Sequence, residues 1–313
     1  MKIGMTGATG FLGHCLTNRL LAQGHQVVAW CRDLKRISQS NEAPSAPRVD
    51  WIEGRLGDDA ATEALVQGCD AIVHAGLFQP GSGFIGGEGD AIEYLQTNVI
   101  GSAKLLETAS KHRVGRFVFV SSGSVHDRVA ADRALDEKHP LWPCSLYGAY
   151  KASVETFIHA YGFSGKLACC TLRPTAIYGV ADPKEESKWY PMIADIAAGK
   201  DVHATGGSKS VHVADVAAAI ELLLQTAEPI SGETFNCTDR MISQYEVAQI
   251  AKRISASLSV ISGESKEAKH PMDTSKIESL GMRFGGTALL ESTIAELLSF
   301  SSSPAARPPS SSE

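Results

Sequence analysis

Three glycines near the start of the chain constrain its fold more than any other feature. Residues 2–13 read KIGMTGATGFLG. Lys2 to Thr6 is short and half apolar, as a strand would be, and Phe11 to Leu21 has helical spacing through Phe11, Leu12, Cys15, Leu16 and Leu20. Gly7, Gly10 and Gly13 therefore fall on a turn between a strand and a helix. Such a turn needs φ freedom at Gly7, close backbone approach by a pyrophosphate at Gly10, and tight helix–strand packing at Gly13. The N–H groups of Phe11 and Leu12 at the helix start would face anionic phosphates. A glycine triplet alone is a weak signal, but strand, turn and helix around it predict dinucleotide binding.

The pattern downstream agrees. Gln26–Cys31, Arg48–Glu53, Ala71–His74, Arg116–Ser121 and Leu167–Leu172 read as strands, and Asp59–Gln67, Ile92–His112 and Tyr147–Tyr161 as helices between them. Strands alternating with helices imply an α/β fold, a doubly wound parallel sheet of the Rossmann type. After Pro174 the alternation fades. Trp189–Ala198, Val213–Thr226, Gln244–Ser257 and Leu289–Leu298 read as helices and Glu233–Cys237 as a strand. The expected organisation is a dinucleotide-binding domain over 1–174 and a smaller α+β, mainly substrate-binding part over 175–299, some of whose segments return to the first domain. The Ser/Pro stretch Ser38–Pro47 reads as a loop, and FSSSPAARPPSSSE at 300–313 as a disordered tail.

Composition narrows the class of partner. The formal charge is −6, so no basic field would draw in nucleic acid or an acidic membrane surface. No apolar run reaches the ~18 residues of a membrane span. The first residues lack the layout of a signal peptide. The seven cysteines form no CxxC pair and no metal-like spacing with histidine, which suits small buried residues in a reducing compartment. A cytoplasmic enzyme with a small-molecule substrate and no metal is expected. Glycine, at 29 of 313 residues, is more abundant than usual.

The end of the second strand bears on which dinucleotide binds. A carboxylate there would accept the ribose hydroxyls of NAD and repel a 2′-phosphate. Here Cys31 is followed by Arg32 and Asp33. Arg32 can pair bidentately with a 2′-phosphate, which favours NADP over NAD, while a solvated Arg32/Asp33 pair is the plain alternative.

The candidate chemistry lies at Tyr147-Gly-Ala-Tyr-Lys151. Residues four apart share a helix face, so the Lys151 ammonium would stabilise the Tyr147 phenolate and lower a pKa that is ordinarily near ~10. Lys151 would also hold the nicotinamide ribose, and Tyr150 would serve packing. The strand RFVFVSSGS precedes this helix. Ser121, Ser122 and Ser124 would emerge at its carboxyl edge, where α/β sheets place ligands. One of these hydroxyls would hold a substrate oxygen, and turn or cap roles account for the others.

TGATGFLG, VSSGS and YGAYK in this order resemble the extended short-chain dehydrogenase/reductase family, and within it the NAD(P)-dependent epimerase/dehydratase group. DAIVHAG, TNVIGSAKLL, LRPTAIYG and VHVADVA support the likeness, which covers roughly residues 1–260. The resemblance implies that Ser122, 25 positions before Tyr147, is the catalytic serine beside Tyr147 and Lys151. It also implies that Leu56, His74, Ala75, Gly76, Pro174 and Ile177 lie along the cofactor, together with Gly7, Gly10, Phe11, Leu12, Gly13 and Arg32. The chain departs from the pattern at Arg55, where an aspartate is common. It lacks the Thr-Asp-Glu triplet of the dehydratases. Thr175-Ala176 and Ser208-Lys209-Ser210 stand where nucleotide-sugar enzymes commonly carry an Asn and an Arg.

Other residues have more than one reading. His126 is expected on a loop, in contact with substrate or solvent, and Asn98 would support the active-site backbone or a proton relay. Gln79–Asp90, with five glycines, reads as a flap or a surface loop. Trp142, Trp189 and Tyr190 suit an apolar substrate or the core. The helices Ile92–His112 and Tyr147–Tyr161 would offer a homodimer surface. An NADP-dependent reductase or dehydrogenase is expected, with an NAD-dependent nucleotide-sugar epimerase as the alternative and a non-catalytic NADP sensor as a third class.

Overall fold

The computed structural model describes residues 1–37, 49–83 and 85–301. The expected Ser38–Pro47 loop and the tail beyond Ser301 lie outside the described residues. In chain order the strands are β1 (Lys2–Thr6), β2 (Gln26–Cys31), β3 (Asp50–Glu53), β4 (Ala71–His74), β5 (Arg116–Val120), β6 (Cys169–Pro174) and β7 (Ala176–Tyr178). They continue as β8 (Val202–Ala204), β9 (Gly207–His212), β10 (Thr234–Cys237), β11 (Arg240–Ser243) and β12 (Ile261–Gly263). The α-helices are α1 (Phe11–Ala22), α2 (Leu34–Ile37), α3 (Asp59–Val66), α4 (Ala91–Leu95), α5 (Gly101–Lys111) and α6 (Leu146–Phe163). The rest are α7 (Tyr190–Ala197), α8 (Val213–Gln225), α9 (Gln244–Ser255), α10 (Ser275–Ser279) and α11 (Gly286–Ser301). The single helix expected over Ile92–His112 is interrupted by a π turn at Gln96–Ile100 between α4 and α5.

The chain divides into two compact units. The first comprises Met1–Ile177, Val213–Thr238 and His270–Arg283. Its sheet has seven strands in the order β10-β6-β5-β4-β1-β2-β3, and every paired neighbour runs parallel. Strands covered on both faces must be apolar throughout, and β4 (AIVH) is buried at every position. On one face Leu65, Leu105, Phe117, Phe119, Val154 and Ile158 join α3, α5 and α6 to the sheet in one apolar cluster. Each fully buried side chain of this kind contributes about 1.5–3 kcal/mol relative to exposure. Elsewhere in the unit α1 packs against α8, with Arg19 paired to Glu221 at 2.5 Å. The strand order reverses between β1 and β4, and the ends of these two strands frame the crevice where such sheets receive ligands.

The second unit comprises Tyr178–His212, Asp239–Lys269 and Phe284 onward. In it α7, α9 and α11 pack around Ile193, Ile196, Val247, Ala251, Leu290 and Ile294. β9 pairs antiparallel with β11, and β8 pairs parallel with β12. These strands are three to six residues long. β9 reads GSKSVH, too polar for an apolar periodicity to reveal it. Cys31, Cys69, Cys169, Cys170 and Cys237 are buried, Cys15 is half-buried and Cys144 exposed, and all seven are free thiols. Among the described residues, no helix is long and apolar enough to cross a membrane.

Candidate active site

The turn between β1 and α1 is shaped by the protein at two of its glycines and left open at the third. Gly7 sits at φ +77°, and a Cβ there would stand 2.7 Å from the Ala75 backbone. A Cβ on Gly13 would lie 2.0 Å from the Gly7 carbonyl oxygen. Gly10 differs: among the described residues an added Cβ would meet only the Gly7 carbonyl oxygen, at 3.4 Å, an ordinary contact. The room above Gly10 is therefore not taken up by the described residues. Gly10 is also the N-cap of α1 and makes no side-chain cap hydrogen bond. The first-turn N–H groups, including those of Phe11 and Leu12, have no partner within the helix and suit an anion.

Across the crevice a hydrogen-bonded chain ties β1 to β4 and α5. Gly76 N–H donates to Thr6 Oγ1 at 2.9 Å, and Thr6 Oγ1 lies 2.7 Å from His74 Nδ1. His74 Nε2 lies 2.7 Å from Ser102 Oγ, which donates to the Asn98 carbonyl at 2.5 Å. Only one assignment satisfies every member. Thr6 donates to Nδ1, and the Nε2 hydrogen goes to Ser102. His74 is thus a neutral imidazole, and burial together with the Lys151 charge pushes its pKa down to about 3. Asn98, on the π turn, clamps the Phe78 backbone, accepting from its N–H and donating to its carbonyl, both at 2.9 Å.

The remaining candidates along the cofactor are placed as follows. Arg32 is exposed just past β2 and makes no ion pair among the described residues. Leu56 belongs to the apolar core, so a ligand contact there would involve its backbone. Ala75 donates its N–H to the Thr6 carbonyl at 3.3 Å. Pro174 closes β6 beside Cys237, and Ile177 is half-buried on β7. The loop containing Gln79–Asp90 is closed by Gly81 N–H to the Gly87 carbonyl at 2.9 Å and by the Gln79 amide to the Gly83 carbonyl at 2.7 Å.

Ser122, Tyr147 and Lys151 converge where β5 ends. Ser145 caps α6, accepting from Gly148 N–H at 3.1 Å, which puts Tyr147 in the first turn. A Cβ on Gly148 would lie 2.6 Å from the Ser124 carbonyl oxygen, so the missing side chain lets α6 close on the serine turn. Ser122, at the end of β5, acts on the Tyr147 hydroxyl and favours its ionised form. Ser122 Oγ also accepts from Ser124 N–H at 3.1 Å. Tyr150 packs, fully buried, edge-on to Tyr94 and Phe119 at 6.3 and 6.4 Å.

The acidity of Tyr147 runs against the sequence expectation. Burial raises its pKa, and only the Ser122 bond opposes this. The Lys151 ammonium is turned to the Val120 carbonyl, 2.7 Å away, with its Nζ 4.8 Å from the Phe119 ring centre and 5.8 Å from that of Tyr147. Desolvation in turn pulls Lys151 down to about 7, with Glu155 opposing the shift. A stability signature follows from this. Between that value and the ordinary 10.5, the unfolded chain holds a proton at Lys151 that the folded protein does not. Unfolding then takes up a proton, and the Lys151 contribution to stability rises with pH through the window. Lys151→Met is expected to reduce the gain in denaturant midpoint between about pH 7 and about pH 10 relative to the parent protein. An unchanged gain would place the Lys151 titration elsewhere.

Sequence reasoning missed the support beneath this trio. Arg173 and Glu155 form an ion pair at 2.6 Å, with side chains 2% and 0% exposed. Arg173 Nε also reaches both carboxylate oxygens, at 3.0 and 3.1 Å. Ser121 Oγ donates to the same carboxylate, so this serine belongs to the buried network. His126 requires a correction. It is buried, neither solvated nor on an open loop, with Nε2 3.1 Å from Arg173 Nη1 and Nδ1 3.3 Å from the Pro140 carbonyl. Because arginine only donates, Nε2 accepts and His126 is neutral. One signal was available: Glu155 lies four positions after Lys151, on the same helix face. Trp189 packs on Tyr178 at 5.2 Å in the second unit's core, whereas Trp142 is exposed.

Comparison with known proteins places this geometry in context. A family model described as the NAD dependent epimerase/dehydratase family matches residues 3–238. A dTDP-glucose 4,6-dehydratase of Streptomyces niveus is 30% identical over 237 residues, covering 72% of this chain and 69% of that protein. A 2-alkyl-3-oxoalkanoate reductase of Stenotrophomonas maltophilia is 33% identical over 189 residues, 58% of this chain. That match spans about half the reductase, 52%. Among solved structures, the UDP-glucose 4-epimerase of Thermus thermophilus in complex with NAD superposes with a TM-score of 0.74 at 21% identity, covering 96% of this chain and 99% of that one.

Proposed function

The chain belongs to the NAD dependent epimerase/dehydratase family, and we propose that within it the protein is a nicotinamide-dinucleotide-dependent oxidoreductase acting at a carbonyl or hydroxyl carbon. The observation that carries this reading is the convergence of Ser122, Tyr147 and Lys151 where β5 ends, with the Lys151 ammonium held on the Val120 carbonyl 2.7 Å away. The dinucleotide fits the residues present. Among the described residues Gly10 leaves open room, α1 begins without a side-chain cap, and Gly7 and Gly13 hold the turn. Leu56, Ala75, Gly76, Pro174 and Ile177 would line its course. When bound, the nicotinamide supplies or accepts the hydride.

The protein's own groups handle the proton and the oxygen. Tyr147, its pKa raised by burial, keeps its proton at neutral pH and is set to give it to a substrate oxygen. That is the direction of carbonyl reduction. Ser122 holds the same oxygen by a hydrogen bond that strengthens as negative charge develops there. Lys151, fixed by the Val120 carbonyl near the Tyr147 ring, favours the phenolate left after transfer when it carries its proton.

Arg32 favours NADP. Exposed and without an ion-pair partner among the described residues, it is available to a 2′-phosphate. Arg32→Ala is expected to weaken NADP binding by about tenfold or more while leaving NAD binding unchanged, a charge-assisted contact being about 1.5–3 kcal/mol. An unaltered NADP/NAD ratio in equilibrium titration would sink this assignment.

An epimerase reading is kept by the likeness to UDP-glucose 4-epimerase over 96% of the chain. Thr175-Ala176 and Ser208-Lys209-Ser210, where nucleotide-sugar enzymes commonly carry Asn and Arg, favour the reductase. Purification separates the two readings. The reductase should emerge with an exchangeable cofactor and consume NADPH with carbonyl compounds. Tightly retained NAD, with nucleotide-sugar interconversion and no net change in nicotinamide absorbance, would establish the epimerase instead.

A further inference from the structure

One buried ion pair holds both ends of the segment that carries Ser122. Beyond β5 the chain makes a short 3-10 turn at Gly123–His126, and Ser122 Oγ caps it by accepting from Ser124 N–H at 3.1 Å. Before Ser122, the Ser121 hydroxyl donates to the Glu155 carboxylate. At the end of the turn, His126 Nε2 accepts from Arg173 Nη1 at 3.1 Å. Arg173 and Glu155 are themselves joined, Nη2 to Oε2 at 2.6 Å and Nε to both carboxylate oxygens. Lys151, one turn before Glu155 on α6, holds the preceding residue as well, donating to the Val120 carbonyl at 2.7 Å. Ser121, His126, Glu155 and Arg173 are all buried.

Stability alone does not account for this arrangement. Taking a carboxylate and a guanidinium out of water offsets much of their attraction, and apolar side chains of similar volume serve a core as well or better. What an apolar pair cannot supply is direction. The guanidinium is planar and presents its N–H groups as a rigid fork. Its Nε and Nη2 face Glu155, and its Nη1 faces His126 and the Glu137 carbonyl, the latter at 3.3 Å. Glu155 and His126 are thereby set at a fixed angle and spacing, and so are Ser121 and the end of the turn. His126 also meets the Pro140 carbonyl through Nδ1 at 3.3 Å, so its ring is held at both nitrogens.

We infer that Glu155 and Arg173 are positioning residues for Ser122: acting through Ser121 and His126, they fix the place of its hydroxyl relative to Tyr147. The role rests on the oxidoreductase reading in taking Ser122 and Tyr147 as the groups that meet the substrate oxygen, but the placement is read without turnover. Ser122 favours the ionised form of Tyr147, so the phenol reports where the serine hydroxyl stands. The full-length protein would be labelled with carbon-13 at tyrosine Cζ, and the Tyr147 resonance identified by its loss in Tyr147→Phe. Ser122→Ala gives the position of that resonance without the serine hydroxyl.

Glu155→Leu with Arg173→Met and, separately, His126→Leu are expected to move the Tyr147 resonance toward its Ser122→Ala position. His126→Gln, whose side-chain carbonyl can accept from Arg173 in place of Nε2, should keep it near that of the parent protein. The Tyr161 resonance comes from the far end of α6, where the hydroxyl donates to Glu107 at 2.6 Å, and should stay in place as the mark of an intact fold. A double variant with recovered stability and a parental Tyr147 resonance overturns the positioning role. So does a Tyr147 resonance that Ser122→Ala does not move, or one that His126→Leu and His126→Gln displace equally. Displacement of Tyr161 to the same extent as Tyr147 assigns the effect to the fold at large and overturns it too. If the resonances behave as expected while Tyr147→Phe retains full turnover with a carbonyl compound that the parent protein reduces, the oxidoreductase reading fails and the positioning stands.

Discussion

Tyr147→Phe is expected to lower turnover by about 10²–10⁴-fold, the range contributed by a positioned general acid or base. The substitution deletes a single oxygen from a side chain that is 9% exposed, so the packing around the ring survives. Dinucleotide affinity, proposed to rest on the Gly7–Gly13 turn, should stay within a few-fold of the parent protein. Ser122→Ala removes the hydroxyl that favours ionisation of Tyr147 and should lower turnover by a smaller factor, with binding again preserved. Stopped-flow measurement of nicotinamide oxidation, with dinucleotide affinity determined separately, distinguishes a chemical defect from a binding one. Undiminished turnover in Tyr147→Phe would remove Tyr147 from the chemistry and with it the proposed mechanism.

Glu155→Gln should destabilise the protein by about 3–5 kcal/mol, because it leaves the Arg173 guanidinium buried without its counter-ion. The pair is 2% and 0% exposed, and the carboxylate also accepts from Ser121. Arg173 is held as well by His126 and by the Glu137 carbonyl at 3.3 Å, so strain from the loss spreads into the turn that carries Ser122. Replacing both partners by apolar residues, as in Glu155→Leu with Arg173→Met, is expected to recover much of the loss, since neither buried charge is then stranded. Denaturant midpoints of the single and double variants form the test. A Glu155→Gln protein as stable as the parent would mean that water, rather than Glu155, satisfies Arg173.

Much of the first unit was legible as local pattern. β1, β2 and β4 fall where alternation and β-branched runs place them, because a strand buried on both faces must be apolar from end to end. Gly7 and Gly13 were readable for a related reason: their backbone neighbours are close in sequence or lie on the next strand, and no larger residue fits. The second unit was less legible. Its strands are short, and β9 carries two serines and a lysine. Their pairing partners, not their own composition, make them strands.

The site divides in the same way. The chain by itself determined that a strand, a glycine turn and a helix occur in that order, and that Tyr147 and Lys151 share a helix face. Both are consequences of backbone periodicity, which acts over a few residues. Only the tertiary structure decided what those side chains meet. It closed the start of α6 on the serine turn at Gly148, and turned the Lys151 ammonium to the Val120 carbonyl. It also buried Glu155 with an arginine 18 residues away. Burial and charge pairing depend on which distant segments pack together. For that reason the directions in which Tyr147, Lys151 and His74 shift became readable only in the folded chain.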